Sequence, residues 1–309
     1  MIRPLIVFVA LWLFASSLCV RVTAAEDPTK ASTSAAARAD ATKGIPLDQL
    51  DEKSRATVSD ILKKAGIFRR MPVSVVDCDP NLYLFLVRNP EVVVNIWQVM
   101  KVTTVSAERV KPGVYKATDG AGTACNIQFV HSSPDTHVIL ADGAYSGPLF
   151  LRPVKCRCVI VLKSAYVKET DGRIHVTSRM DTFIDLDSAG LELFAKTVQP
   201  LVGKAADHNF TETAAFFGTL CRAAERNPAG VERLSAKLTK LDPKVRDEFL
   251  KRTAAVAEVA KPAAQGQGET VVVSDAGHAK KPAATATRDQ TPTGRPIQQA
   301  SGGTGHFRR

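Results

Sequence analysis

Six consecutive segments between residues 101 and 186 carry the alternating apolar and polar pattern of β-strands, and this run constrains the fold more than any other feature of the chain. The segments are KVTTVSAERV, GVYKAT, TACNIQFVH, HVILADGAY, VKCRCVIVLKSAYVK and RIHVTSRMDTFIDL. Turn signals separate them, including Pro112-Gly113, Asp119-Gly120 and Asp171-Gly172. Because the connections are short, successive strands pair with each other, and the run predicts an antiparallel meander.

The pattern becomes helical on both sides of this run. Upstream, PLDQLDEKSRATVSDILKKAG predicts a helical lead-in, MPVSVVDCD a first strand, and PNLYLFLVRNPEVVVNIWQVM two short helices, because Pro90 interrupts the pattern. Downstream, apolar residues recur every three or four positions from Leu191 to Ala224, which predicts one long helix that Pro228 ends. The chain is therefore predicted to be an α+β protein with an antiparallel sheet of about six to seven strands.

An acidic motif marks the junction between the last predicted strand and the long helix. Asp185, Asp187 and Gly190 have the spacing of the first half of a calcium loop. However, Ala189 and Lys196 occupy positions at which that loop needs oxygen ligands. We therefore interpret Asp187, or the serine that follows it, as the cap of the long helix, and we predict no metal there.

The two ends of the chain differ from its middle in composition. Residues 1–25 combine an early arginine, an apolar run and a stretch of small residues, which predicts a secretory signal peptide; an uncleaved N-terminal anchor is the alternative. Residues 26–45 predict a disordered linker, and residues 261–309 a disordered basic tail. Between them we predict a domain at 46–227 and a helical appendage at 228–260.

Export and charge bound the class of partner. A cleaved signal places the mature protein outside the cytoplasm, in the periplasm or the extracellular space. No later segment is apolar enough in sequence to span a membrane. The formal net charge of +10 comes from scattered Lys and Arg rather than from a basic run interleaved with aromatic residues. We therefore expect no specific nucleic-acid partner.

Cysteine and histidine are the candidate reactive residues. Five cysteines follow the signal. Free cysteines are typically buried like small hydrophobic side chains, which is how we interpret this set. Because their number is odd, at least one thiol is free or paired with another chain. Cys156 and Cys158 share one face of a strand. We expect their side chains to be too far apart along the strand to bond each other. Two thiolates alone do not make a structural zinc site, which needs four ligands. His131 and His137 flank a hairpin loop and are weak metal candidates, because a one-residue change in register separates them.

Motifs for catalysis are missing from the sequence. It contains no Gly-x-Ser-x-Gly, no His-Glu-x-x-His and no Gly-rich phosphate loop. The sequence therefore predicts no cofactor and no catalytic residue, and it favours a non-enzymatic protein over an enzyme.

The order of the predicted elements resembles that of the START-like superfamily, also called helix-grip or SRPBCC proteins. A strand, two short helices, six antiparallel strands and a long helix extend from Met71 to Asn227. RNPEVVVNIWQVM is similar to the second short helix of that fold, and FIDLDSAGLELFAKTVQPLV to its last strand and long helix. The whole chain also resembles uncharacterised exported bacterial proteins with a signal peptide and this core. The resemblance implies a curved sheet that grips the helix, with an apolar cavity between them for a lipid or another hydrophobic small molecule.

Alternation along the strands and spacing along the helix nominate the side chains that face such a cavity. They are Ile127, Phe129, Ile160, Leu162, Met180 and Ile184 from the strands, and Phe194, Val198, Leu201 and Phe210 from the helix. The same residues can instead fill a solid core, because apolar periodicity does not distinguish a cavity wall from a packed interior. Three functions are open at this point: a non-enzymatic carrier of a hydrophobic ligand, which we favour; an interaction or structural protein of the cell envelope; and a cyclase or hydrolase that uses the cavity.

Overall fold

Eight antiparallel strands form one open sheet in the part of the chain that the structure describes. The structure is a computed structural model, and it describes residues 27–146, 153–170, 172–187 and 199–265. The strands are β1 Ile67–Arg70, β2 Ser74–Asp77, β3 Ser106–Lys111, β4 Val114–Thr118, β5 Thr123–Ser132, β6 Thr136–Tyr145, β7 Val154–Lys168 and β8 Ile174–Leu186. The helices in the described residues are α1 Ala35–Lys43, α2 Glu52–Lys64, α3 Pro80–Arg88, α4 Pro90–Val99, α5 Gln199–Arg226, α6 Pro228–Ala236 and α7 Pro243–Gln265, with a 3₁₀ turn at Leu47–Gln49. The fold class is α+β, as the sequence predicts.

Most neighbouring strands of the sheet are also neighbours in sequence. From one edge inward the order is β3-β4-β5-β6-β7-β8, and both β1 and β2 pair with β8 at the second edge. β1 lies along residues 181–184 of β8, and β2 lies along residues 175–178. The predicted antiparallel meander is therefore present as β3 to β8, with the first strands of the chain placed beside the last one.

The sheet has more strands than the six to seven that the sequence predicts. The additional strand is β1, whose four residues Ile-Phe-Arg-Arg do not alternate between apolar and polar. Proline has no backbone N–H to donate to a ladder, and the edge of the sheet divides around Pro72 into β1 and β2. A strand this short is defined by its pairing with β8 rather than by its own sequence.

Helices cover both faces of the sheet. On one face, α3 to α7 pack around a core that includes Val76, Leu86, Val176, Phe217 and Phe249. On the other face, α1 and α2 cover Phe68, Val138, Val159, Val161 and Phe183. Because side chains alternate along a strand, the central strands supply one set of residues to each face.

A helix on this second face shows that the prediction of a disordered linker at residues 26–45 is wrong. Helix α1 occupies Ala35–Lys43, and the Ser34 hydroxyl caps it by accepting the Ala37 N–H at 3.0 Å. Ala37 and Ala41 are buried. This helix buries only alanines, so its sequence carries no strong amphipathic pattern, and its packing against the sheet region supplies the stabilisation that its own sequence does not indicate.

An ion-pair network fastens this lead-in to the sheet. Arg70 of β1 makes a bidentate pair with Asp181 of β8, with Nε 2.6 Å from Oδ1 and a terminal nitrogen 3.1 Å from Oδ2. The same guanidinium donates to Asp40 of α1 at 2.8 Å, which lowers the pKa of that carboxyl. Asp181 is fully buried, so its charge is stabilised by the Arg70 guanidinium rather than by water.

The predicted long helix is described from Gln199 to Arg226, over 28 residues. Its predicted start and cap, at 188–198, lie outside the described chain. A disulfide bond joins Cys78, which follows β2, to Cys221 on α5. These two cysteines are buried, as the sequence predicts, but they are bonded to each other, which no local pattern indicated.

The two helices that follow α5 share its core. Phe249 of α7 stacks on Phe85 of α3, with ring centroids 6.3 Å apart. Helix α7 continues to Gln265, so the first residues of the predicted disordered tail are helical, while the remainder of that tail and the predicted signal at 1–25 lie outside the described residues. Within the described residues, no helix combines the length and the apolar character needed to cross a membrane.

Candidate functional site

A cavity of about 340 Å³ lies between the sheet and helices α3, α4 and α5. The sheet supplies one wall, made of Ile127, Phe129, Ile139, Ile160, Leu162, Ser178 and Met180. Register explains how residues from four strands meet: Phe129, Ile139 and Ile160 are directly paired across β5, β6 and β7. Leu162 and Met180 form the adjacent pair across β7 and β8. Residues two apart on one strand share a face, which gives a continuous apolar wall.

The helices supply the opposite wall. It consists of Tyr83, Leu86 and Val87 from α3, Pro90, Val93, Val94 and Trp97 from α4, and Phe210, Thr213, Ala214 and Phe217 from α5. The α5 residues recur at the three- and four-residue spacing that places side chains on one helix face. Trp97 also packs edge-on against Phe216, with centroids 5.5 Å apart, so α4 and α5 are joined beside the cavity.

The structure brings together six of the ten candidates named from sequence: Ile127, Phe129, Ile160, Leu162, Met180 and Phe210 line the cavity. Ile184 lies on the same face of β8 as Met180, four residues further along, and is outside the lining. Phe194, Val198 and the side chain of Leu201 fall outside the described part of the chain.

Sequence reasoning missed most of the helical wall. Trp97 of α4 lines the cavity, whereas Met100, the residue that follows α4, is 53% exposed. The contributions of Tyr83 and Val93 were not named. Their signal was present, because α3 and α4 each carry an apolar stripe, but a stripe on a short helix does not say which part of a sheet it will face.

Buried hydroxyls supply polar groups at one place in the cavity wall. Tyr83 Oη lies 2.9 Å from Ser164 Oγ and 2.8 Å from Ser178 Oγ, and all three side chains are buried. Burial raises the pKa of Tyr83, so the phenol remains neutral at physiological pH. The hydroxyls therefore offer neutral hydrogen-bonding groups at one place in an otherwise apolar lining.

The two histidines considered for metal binding are separated by the register. Within the β5–β6 hairpin, His131 pairs with Val138 and His137 pairs with Ser132, after an irregularity between Phe129 and His131. This one-residue offset places the two imidazoles on opposite faces of the sheet. The described residues contain no cluster of three or more His, Cys, Asp or Glu side chains that could hold a metal ion.

His137 is instead a fully buried neutral side chain. Its Nε2 accepts a hydrogen bond from Arg88 Nε at 3.3 Å, and its ring stands edge-on to Phe129. Burial, with the nearby Arg88 charge as a smaller cause, lowers the pKa of His137 to about 4. The imidazole therefore carries no charge at neutral pH.

Three free thiols lie near one end of the same sheet face. Cys125, Cys156 and Cys158 are each half-buried, and the Sγ atoms of Cys156 and Cys158 are 3.3 Å apart. The sequence predicts that Cys156 and Cys158 are too far apart along the strand to bond each other. Both are free thiols in the structure, but their side chains converge above the strand and are closer than that prediction assumes.

The acidic motif at the end of β8 is engaged by basic and backbone partners. Asp185 accepts a hydrogen bond from Arg157, which also donates to Asp60 of α2 at 3.0 Å. Asp187 Oδ2 accepts the Lys155 N–H at 3.2 Å. These contacts tie β8 to β7 and α2; Gly190, the remaining residue of the motif, lies outside the described chain.

The apolar cavity is the arrangement in the described residues that is best suited to hold a small molecule. No protein-family model and no curated protein matches the chain.

Proposed function

We propose that this chain is a START-like, helix-grip protein that binds a hydrophobic small molecule between its sheet and its helices. The element order supports this assignment: an edge strand, two short helices, a meander of six strands and a helix of 28 residues follow one another in the chain. The cavity lies where that arrangement implies a ligand, between the sheet and α5.

The observation that carries the proposal is the chemistry of the cavity wall. Among the described residues that line it, Tyr83, Ser178 and Thr213 carry hydroxyls, Trp97 carries an indole N–H, and none is charged. A site without charge gains binding energy from the burial of apolar surface and offers nothing to neutralise an ionic group. The ligand class is therefore hydrophobic, with at most a neutral oxygen directed at the hydroxyls of Tyr83 and Ser178.

Cavity size narrows this class. A volume of about 340 Å³ is near the lower end of the range for small-molecule sites, roughly 300–1,000 Å³. It favours a single-chain lipid or a small isoprenoid over a lipid with two acyl chains.

The disulfide bond supports export. Cys78 and Cys221 are joined within the core of the domain, and disulfide bonds persist mainly in oxidising compartments such as the periplasm and the extracellular space. This agrees with the signal peptide that the sequence predicts at 1–25, and we place the carrier outside the cytoplasm.

Ligand binding can be tested with a neutral apolar dye and with native mass spectrometry. We expect N-phenyl-1-naphthylamine to bind with a saturable increase in fluorescence, and we expect the purified protein to release a co-purified hydrophobic molecule on denaturation. If the dye shows no saturable binding and no small molecule is released, the domain is not a carrier.

Two substitutions on α5 locate the binding. Ala214 lines the cavity, whereas the adjacent Ala215 is exposed on the same helix. Ala214→Met places a longer side chain in the cavity and should weaken dye binding on the order of tenfold, equivalent to about 1.4 kcal/mol. Ala215→Met should leave it unchanged. Equal effects of the two substitutions would place the dye outside this cavity. Circular dichroism spectra of both variants provide the check that they are folded.

A further inference from the structure

Cys125, Cys156 and Cys158 lie on one face of the sheet, the face that also carries the cavity wall. Cys125 on β5 is paired with Gly143 on β6, which is paired with Cys156 on β7. Cys158 is two residues further along β7, followed on the same face by Ile160 of the cavity. The fold thus brings Cys125 to the neighbouring thiols Cys156 and Cys158, beside the proposed binding site.

Gly143 makes this arrangement possible. A Cβ atom added at Gly143 would lie 2.3 Å from the Ala124 carbonyl oxygen and 2.5 Å from Cys125 Cβ. No larger residue fits there without a shift of the β5 backbone, so the close approach of β5 and β6 requires glycine. Backbone and Cβ atoms of Ala124 and Cys125 occupy the space that a side chain at Gly143 would need.

Strand geometry selects one pair of thiols that can bond. Cys125 and Cys156 are separated by a whole strand, so their Cα atoms are roughly 9–10 Å apart, beyond the about 7 Å limit for a disulfide. Cys156 and Cys158 are two residues apart on one strand, where the Cα separation is roughly 6.4–6.8 Å, at the upper end of the disulfide range. Their Sγ atoms are already only 3.3 Å apart.

We propose that Cys156 and Cys158 are a redox-active dithiol that forms a reversible disulfide bond within β7. Because the bond has to span the upper limit of the allowed Cα separation, it is strained, and strained disulfides are reduced more readily than relaxed structural ones. The buried Cys78–Cys221 bond is the structural disulfide of the chain, and the β7 pair is the labile one.

The reaction is thiol–disulfide exchange with a disulfide-containing oxidant. The Cys156 thiolate attacks one sulfur of the oxidant, forms a mixed disulfide and releases the other sulfur as a thiolate. Cys158 then loses its proton to that thiolate and attacks the Cys156 sulfur, which expels the second thiolate. Cys156 loses its proton to water before the attack, and the second thiolate takes up a proton from water. The net change is the transfer of two electrons and two protons from the pair to the oxidant, and one S–S bond replaces another.

The order of attack follows from the hydrogen bond between the two thiols. The hydrogen bond between the two sulfur atoms lowers the pKa of Cys156 and raises the pKa of Cys158. Burial raises the pKa of Cys125, so that thiol is the less reactive neighbour. Cys156 is therefore the attacking residue and Cys158 the resolving one.

Peptide mapping of the full chain tests the proposal, because Lys155 and Arg157 provide tryptic cleavage sites on either side of Cys156. The protein is equilibrated with a series of reduced and oxidised glutathione mixtures, remaining thiols are alkylated, and the digest is examined without reduction. We expect the peptides that contain Cys156 and Cys158 to be joined by a disulfide, with Cys125 alkylated. On going to more reducing mixtures, this link should be lost before the Cys78–Cys221 link.

A Cys125→Ser variant is the matched control, since it removes the third thiol and should leave the β7 link and its midpoint unchanged. Alkylation of both Cys156 and Cys158 across the whole series would overturn the proposal. So would a link from Cys125 to either of them, or a β7 link as resistant to reduction as Cys78–Cys221.

Discussion

Cys78, the residue that follows β2, is covalently bonded to Cys221, in the last third of α5. The bond closes a loop with a sequence separation of 143 residues and holds the helix against the edge of the sheet where β2 pairs with β8. The helix that forms part of the cavity wall is therefore anchored to the sheet at a point near its C-terminal end.

Removal of this bond should destabilise the domain substantially. In the chain-entropy account, a cross-link that closes a loop of this size contributes about 4–5 kcal/mol. We expect Cys78→Ala/Cys221→Ala to lower the free energy of unfolding by an amount of this order, measured by urea denaturation without reductant. Cys125→Ala provides the comparison, because it removes a free thiol and should cost much less. A double variant as stable as the wild type would show that the bond does not support the fold.

Removal of one partner of the Arg70–Asp181 pair should destabilise the domain more than removal of both partners. Arg70→Met leaves the fully buried Asp181 carboxylate without its bidentate partner, and breaking such a pair costs about 3–5 kcal/mol. In Arg70→Met/Asp181→Leu both charges are removed, and most of this loss should be recovered. Urea denaturation of the two single variants and the double variant measures the coupling; additive losses would contradict it.

His137 should make the domain less stable in acid. Its pKa in the folded protein is about 4, below the ordinary value of 6.5, so the unfolded chain binds a proton that the folded chain does not. Stability from this group is complete above pH 6.5, falls as the pH decreases toward 4, and levels off below that, with a total change of about 3 kcal/mol.

Substitution isolates this contribution. His137→Gln should flatten the dependence of the unfolding free energy on pH between 6.5 and 4, whatever it costs at neutral pH. His131→Gln, on the opposite face of the hairpin, is the control and should retain the slope. An unchanged slope in His137→Gln would assign the acid sensitivity to other groups.

The buried hydroxyl cluster should contribute to stability through Tyr83. Tyr83→Phe removes the group that joins Ser164 and Ser178 and leaves buried hydroxyls with fewer partners, which costs about 1–3 kcal/mol. Tyr166→Phe is the matched change, since its hydroxyl donates to the Pro134 carbonyl at 2.6 Å in an exposed position, where water can replace the lost partner. Thermal unfolding should show the larger decrease for Tyr83→Phe, and equal decreases would argue against a special role for the buried cluster.

The cavity wall was predictable from sequence wherever local geometry determined it. Ile127 and Phe129, Ile160 and Leu162, and Met180 lie on one sheet face because strand side chains alternate, and turn signals had already fixed where each strand begins. The same alternation placed Cys156 and Cys158 together. No knowledge of the rest of the chain was needed for these assignments.

Features that depend on contacts between residues distant in sequence could not be predicted from the local sequence pattern. Helix α1 buries only alanines, and its place is determined by packing and by Arg70 and Asp40; β1 exists because β8 lies beside it. The irregularity between Phe129 and His131, which separates the two histidines, is a shift in pairing that the alternating pattern does not show. Cys78 and Cys221 are too distant in sequence for any spacing rule to pair them.

The sequence by itself therefore determined the α+β class, the six-strand meander and the parity of side chains along each strand, because these follow from interactions between residues close in the chain. Only the tertiary structure decided which helices oppose which strands, where a cavity remains between them, and that Cys78 bonds to Cys221. Those outcomes depend on contacts between segments that are distant in sequence, and a local pattern of apolar and polar residues does not determine the free energy of such contacts.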